Sequence, residues 1–120
     1  MINARAESVA EKPAFRRAFA KQRALVPADG FYEWQKQNAR KQPFHIRRRN
    51  GEPFAFAGLW ERWHDRALDQ VHETFTIITT DASDLLAPIH NRMPVILSPA
   101  DYDHWLDPEK PGAPDLLTPY

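Results

Sequence analysis

The longest apolar stretches of this chain, Phe54–Trp60 and Pro94–Leu97, are only seven and four residues long, and turn formers or charges close them. Runs this short cannot cross a bilayer as helices, and they suit strands better than long amphipathic helices. Thr74–Thr80 is the clearest strand, rich in β-branched residues and flanked by charge. Arg23–Pro27 and Phe31–Gln35 read as two more, joined by a turn at Asp29-Gly30. Pro43–Arg48 alternates, with Phe44 and Ile46 on one side and His45 and Arg47 on the other. Asn50-Gly51 is a hairpin signal expected to pair that strand with Phe54–Trp60. The polar stretch Gln37–Gln42 reads as a hairpin tip or loop, His64–Glu73 as a loop, and Met1–Arg5 as a strand end or ordered loop with nothing before it to pair with.

Helices are few. Pro13 suits a first helical position, and Phe15, Ala18 and Phe19 then share a face of a helix over Pro13–Gln22. Asp81–Leu86 reads as a short helix capped by Asp81 or Ser83 and stopped before Pro88. Ser98-Pro99 opens a last helix with Tyr102, Trp105 and Leu106 inward, and Pro108–Tyr120 forms no clear element. The expected fold is α+β and mainly β, with five or six short strands in an antiparallel or barrel-like sheet. Residues 1–120 are expected to make up a single domain, and 42% hydrophobic content suffices for its core.

Charge is balanced in sum but not in place. Residues 1–50 carry twelve Lys/Arg against four Asp/Glu, and residues 51–120 carry four against twelve. Either the two halves attract each other, or the first half forms a basic surface that tracks a phosphate backbone. Arg16, Arg17, Lys21, Arg23, Lys36, Arg40, Lys41 and Arg47–Arg49 are its candidates. The chain has no cysteine, which excludes a disulfide framework and a thiolate metal site. No secretory leader opens it, so a cytoplasmic location is the expectation.

Three polar islands sit beside core-type residues: Asn3-Ala4-Arg5, Gly30-Phe31-Tyr32-Glu33-Trp34 and His90-Asn91-Arg92-Met93-Pro94. Glu33, between two large aromatic residues, is a candidate for proton transfer, although strand alternation can equally turn it to water. His90, at the mouth of a buried strand, exchanges protons near neutral pH if it is not merely structural. Arg92, two residues on, adds a phosphate-binding group on the same side. His45, His64, His72 and His104 show no metal-ligand spacing, and Ser8, Ser83 and Ser98 lack a nucleophile-elbow context. With no glycine-rich phosphate loop either, no metal and no cofactor is expected.

Taken in order, these segments resemble the SOS response-associated peptidase (SRAP) family, whose bacterial and eukaryotic members shield abasic sites in single-stranded DNA. The resemblance rests on Asn3-Ala4-Arg5-Ala6-Glu7, the run Arg23–Trp34, the strands Phe54–Glu61 and Phe75–Thr80, and His90–Leu97. It implies an antiparallel barrel-like fold and a covalent chemistry. An N-terminal cysteine, exposed by removal of the initiator methionine, attacks the ring-opened abasic aldehyde through its α-amine, and its thiol closes a thiazolidine. By this resemblance Glu33 deprotonates the amine and takes part in self-processing. His90 donates a proton to the sugar oxygen and acts in crosslink reversal. Asn3 hydrogen-bonds the adduct, Arg5 and Arg92 hold flanking phosphates, and Thr79 lines the site.

The resemblance also implies a monomer acting on abasic single-stranded DNA, away from membranes and near the nucleoid during DNA damage. The chain departs from the family where the chemistry starts. It lacks the cysteine and the stretch that carries it, and the family's last strands are not found, so the domain is expected to be incomplete at both ends and crosslink-incompetent. A non-covalent single-stranded nucleic-acid-binding module is the alternative.

Overall fold

The computed structural model describes residues 2–37, 40–110 and 114–120. Eight strands are formed: β1 (Ile2–Arg5), β2 (Arg23–Ala28), β3 (Phe31–Gln37), β4 (Arg40–Ile46), β5 (Phe54–Asp65), β6 (Gln70–Asp81), β7 (Arg92–Pro94) and β8 (Ile96–Leu97). Two short helices, α1 (Arg16–Lys21) and α2 (Tyr102–Leu106), and 3-10 turns at Pro99–Asp101 and Pro114–Leu116 complete the described elements. The fold is mainly β, as expected. A six-stranded sheet runs β1-β6-β5-β2, with β7 added to β6 and β8 to β5, and β3–β4 forms a separate two-stranded ribbon. The sheet is mixed, because β1 pairs β6 in parallel while the other pairings are antiparallel. No helix among the described residues is long and apolar enough to cross a membrane.

β5 holds the molecule together. Phe54 through Leu59 are all buried, so this half of the strand faces core on both sides, as its unbroken apolar run requires. One face joins Ala57 and Leu59 to Ala4, Ile78, Val95 and Leu97, under Phe19 and Trp105 from the two helices. The other joins Phe54 and Phe56 to Ile77, and Phe31 of the β3–β4 ribbon packs on it. Phe31, Phe54 and Phe56 meet edge-on at 5.5–6.3 Å, an arrangement that favours aromatic quadrupoles. This contact seats the ribbon over the sheet.

Several local expectations change. Asn50-Gly51 does turn: Gly51 has φ 74, and its N–H donates to the Arg48 carbonyl at 3.0 Å. The turn closes no hairpin among the described residues, where β4 pairs with β3 and β5 pairs with β2, β6 and β8. A turn signal fixes the local chain direction, whereas burial of Phe54 and Phe56 on both sides decides where the next strand goes. Of His64–Glu73 only residues 66–69 form a turn, since β5 and β6 stay paired to Asp65↔Gln70. This end lies beyond the core and lacks apolar alternation. Cross-strand side chains hold it instead, with Trp63 stacked on His72 at 4.6 Å.

Asp81–Leu86 forms no helix, because Asp81 ends β6 and the following residues make turns bonded to Ser83 and Leu86 carbonyls. The helix expected from Pro13 begins at Arg16, after a run of turns. Trp105 is buried as expected, but Leu106 is 43% exposed. Of Gln37–Gln42, expected as a hairpin tip or loop, Gln37 ends β3 and Arg40–Gln42 begin its antiparallel partner β4, and the Asn38-Ala39 part of that expectation lies outside the described residues.

Arg23 is no part of a basic surface. It is 6% exposed, and its guanidinium donates to the carbonyls of Trp105, Phe19, Ala20, Asp107 and Lys110 at 2.6–3.0 Å. It ties the C-terminal ends of both helices to β2 and lies 5.6 Å from the Trp105 ring centre.

Candidate active site

The ribbon's register decides which way Glu33 points. Phe31 faces the sheet, so Glu33 and Gln35 face the same way, and Tyr32 and Trp34 turn outward at 61% and 50% exposure. The carboxylate is therefore the half-buried member of its island, with 23% of its side chain accessible, and its aromatic neighbours are the exposed ones. Gln35 donates to the Pro88 carbonyl at 2.7 Å and ties the ribbon to the segment that leads into His90. That tether brings two islands 57 residues apart in the chain together: Glu33 Oε2 lies 3.7 Å from His90 Nδ1. The Arg92 backbone N–H donates to the same Nδ1 at 3.2 Å. Nδ1 also lies 3.1 Å from the Arg92 carbonyl oxygen, so it has a backbone donor and a backbone acceptor within reach besides the Glu33 carboxylate. The cleft encloses about 540 Å³ and is lined by Glu33, Trp34, Lys36, Lys41 and His90.

The third island lies on the sheet beside it. In β1, Ala4 is buried with Ile78, which puts Asn3 and Arg5 on the opposite face, next to Ile77 and Thr79. Both are exposed. Arg5 Nε lies 3.5 Å from Glu7, and Asn3 makes no side-chain hydrogen bond among the described residues. Arg92 is held by several partners. Its two terminal nitrogens donate to both Glu7 oxygens at 3.0 Å, to Asp81 at 3.0 Å, and to the Thr79 carbonyl and hydroxyl at 2.9 and 3.2 Å. The bidentate bond from Arg92 lowers the Glu7 pKa below its ordinary 4.5, against a smaller opposing effect of burial. The same bond, with the Asp81 contact, raises that of Arg92. Asp81 and Thr79 come from β6, Glu7 from the turn after β1, and Arg92 from β7, so the clamp ties two strands and that turn together.

The second and third islands meet at Glu33 and His90, and the Arg92 clamp links the third to Glu7, two residues past the first. Glu33 and His90 are in contact; Arg5, Arg92 and Thr79 are joined through Glu7 and the Arg92 guanidinium; Asn3 lies opposite Ile77, on the same face of β1 as Arg5. Glu7 and Asp81 are the residues that sequence reasoning missed as functional partners. Glu7 stood within the asparagine–arginine island, two residues after Arg5, and that spacing was the available signal. Lys36 and Lys41 were counted only as members of a basic stretch. A second, more apolar cavity of about 490 Å³ lies between Ile46, Phe54, Leu86 and Met93, rimmed by Arg47, Arg48 and Arg49, and among the described residues no acidic or histidine side chain lines it.

A half-buried carboxylate thus stands against an imidazole at the mouth of a cleft on a mainly β scaffold, beside an arginine–carboxylate clamp and with lysines at its edge. The whole chain, residues 1–120, matches the family model described as SOS response associated peptidase (SRAP). The chain belongs to that family. It is 46% identical over 125 residues to the abasic site processing protein YoaM of Bacillus subtilis (strain 168), covering 100% of this chain and 54% of that protein. Identity to the abasic site processing protein YedK of Escherichia coli (strain K12) is 38% over 112 residues, covering 93% and 50%. A crystal structure of a protein from Bacteroides thetaiotaomicron superposes with a TM-score of 0.93 at 40% identity, covering 98% of this chain and 53% of that one. The chain spans about half the length of the curated relatives it matches.

Proposed function

We propose that this chain supplies the acid–base and strand-positioning half of an abasic-site processing reaction on single-stranded DNA. The observation that carries the proposal is the Glu33–His90 contact of 3.7 Å, made between the ribbon and the sheet beside an open cleft. An abasic sugar exists mainly as a closed hemiacetal. Protonation of its ring oxygen by the imidazolium form of His90, with loss of the anomeric hydroxyl's proton to water, breaks the ring C–O bond and opens it to the aldehyde, and Glu33 accepts the proton that an attacking ammonium must lose. The amine nitrogen then bonds to the aldehyde carbon, and loss of water gives an imine. A thiol on the same carbon framework adds to that carbon, and its proton passes to the nitrogen, closing a thiazolidine.

Asn3 is the amide available to the adduct, and Thr79 lines the site. Arg5 is open to a flanking phosphate, whereas Arg92 reaches one by exchanging a carboxylate partner for it. The thiol is not in this chain, which has no cysteine. The imine alone is reversible by hydrolysis, so the durable crosslink and any self-processing need a family N-terminal segment that begins with cysteine. The missing thiol also favours a second reading, non-covalent binding of single-stranded DNA without turnover.

The test fuses such a cysteine-first segment to this chain and follows adduct formation on an abasic oligonucleotide. Glu33→Gln should slow formation tenfold or more, and His90→Ala should change the rate of formation or reversal, both with little loss of DNA binding. Rates within twofold of the parent for both variants leave the non-covalent reading standing and remove this one.

A further inference from the structure

The β3–β4 ribbon is amphipathic in the unexpected sense. Its inward side carries Glu33 and Gln35 beside Phe31. Its outward side carries three cross-strand pairs in a row: Tyr32↔His45, Trp34↔Pro43 and Lys36↔Lys41. Tyr32 and Trp34 stand exposed, and the Tyr32 ring lies 4.9 Å from that of His45 at a 32° tilt. Lys36 and Lys41 put like charges directly opposite each other, an unfavourable arrangement on a bare strand pair. Neither has an acidic partner among the described residues, and both line the Glu33–His90 cleft. Arg92, the cation nearest His90 in sequence, is by contrast bound to two carboxylates.

We propose that the outward face of this ribbon is a track for one single nucleic-acid strand running out of the cleft. Lys36 and Lys41 together grip a backbone phosphate, and Tyr32, supported by His45, receives a base. Exposed ring faces beside paired ammonium groups match the two features every single strand offers, π-faces and phosphates. A protein partner would require apolar burial at the lysine end or a carboxylate of its own there. From Tyr32 to Lys36 the track is about 13 Å long. This inference rests on the nucleic-acid substrate proposed above but not on the lesion chemistry, since a track of this kind reads neither base identity nor damage.

The experiment uses the whole chain and an undamaged, labelled ten-nucleotide oligothymidylate, with anisotropy titrations from 50 to 200 mM salt. Lys36→Gln/Lys41→Gln should weaken binding at least fivefold at 50 mM salt and reduce the salt slope by about 0.7, the share of one neutralised phosphate. Tyr32→Ala should weaken binding about fivefold or more with the slope unchanged, and Tyr32→Phe should restore it. Lys12→Gln, at an exposed lysine outside β3 and β4, is the control for loss of general charge. Failure of the wild-type chain to bind, or lysine and tyrosine variants indistinguishable from Lys12→Gln, overturns the track. Loss of the Glu33 and His90 effects on abasic DNA, with these ribbon effects intact, overturns only the chemistry.

Discussion

Replacing Arg23 by methionine should unfold this protein more readily than any change at the cleft. The guanidinium serves five main-chain carbonyls, and the bonds to Trp105 and Phe19 are fully buried. A hydrogen bond from a charged donor is worth about 1.5–3 kcal/mol, so the two buried bonds alone represent about 3–6 kcal/mol. Burial opposes this, since it lowers the Arg23 pKa by penalising the charged form, and methionine is free of that cost. The net expected loss is about 3–4 kcal/mol, a large share of a small domain's stability. That corresponds to a fall in Tm of about 10–20 °C. Arg23→Lys should recover little of it, because a single ammonium cannot span carbonyls at the ends of two helices. Thermal and urea unfolding followed by circular dichroism measure both variants. A Tm for Arg23→Met less than about 4 °C below the parent, the shift of only ~1 kcal/mol, contradicts this role for the guanidinium.

Three further outcomes depend on the same geometry. Glu7 titrates below its ordinary 4.5 because Arg92 bonds it, so its stabilising contribution is complete above that value and is lost as pH falls through the lowered folded-state value. Glu7→Gln should flatten the parent's loss of stability between about pH 5 and pH 3, measured as Tm against pH; equal slopes contradict the clamp. At Gly30 an added Cβ would come within 2.5 Å of His45 Nε2 and 2.7 Å of the Ile46 carbonyl oxygen, so Gly30→Ala should destabilise by about 1–3 kcal/mol in urea titrations. Gln35→Ala, which cuts the tether to Pro88, should leave Tm nearly unchanged while it slows adduct formation in the cysteine-bearing fusion; an unchanged rate there shows that the tether does not position Glu33.

Much of the fold was legible where local and long-range requirements agree. Thr74–Thr80 and Phe54–Trp60 are strands because β-branching and unbroken apolarity leave no other use for them, and both lie within β6 and β5. The length of those strands was not legible, since past Trp60 the hairpin is solvated on both faces and Trp63 and His72 pair without any periodic signal. Pairing partners were hidden for a related reason. Asn50-Gly51 specifies a turn, but only burial on the second face of β5 shows that the chain changes sheets there.

At the cleft, alternation left the direction of Glu33 open, and the packing of Phe31 on Phe54 and Phe56 resolves it inward. The clamp on Arg92 was invisible, because its partners Glu7 and Asp81 lie 85 and 11 residues away in the chain. Arg23 looked like one more cation in a basic stretch, and nothing in its neighbours told that five carbonyls would converge on it.

If this chain carries the proton-transfer machinery for abasic-site processing but not the thiol that makes the product durable, its behaviour on abasic single-stranded DNA is fixed. The two are mixed, heated in denaturant and resolved on a gel. The chain as it stands should give no heat-stable protein–DNA band and at most one trapped by borohydride, and a heat-stable band should appear once a cysteine-first family segment is joined to it. A heat-stable crosslink from the cysteine-free chain would mean that another side chain is the nucleophile, and the assignment of roles around Glu33 and His90 would fall with it.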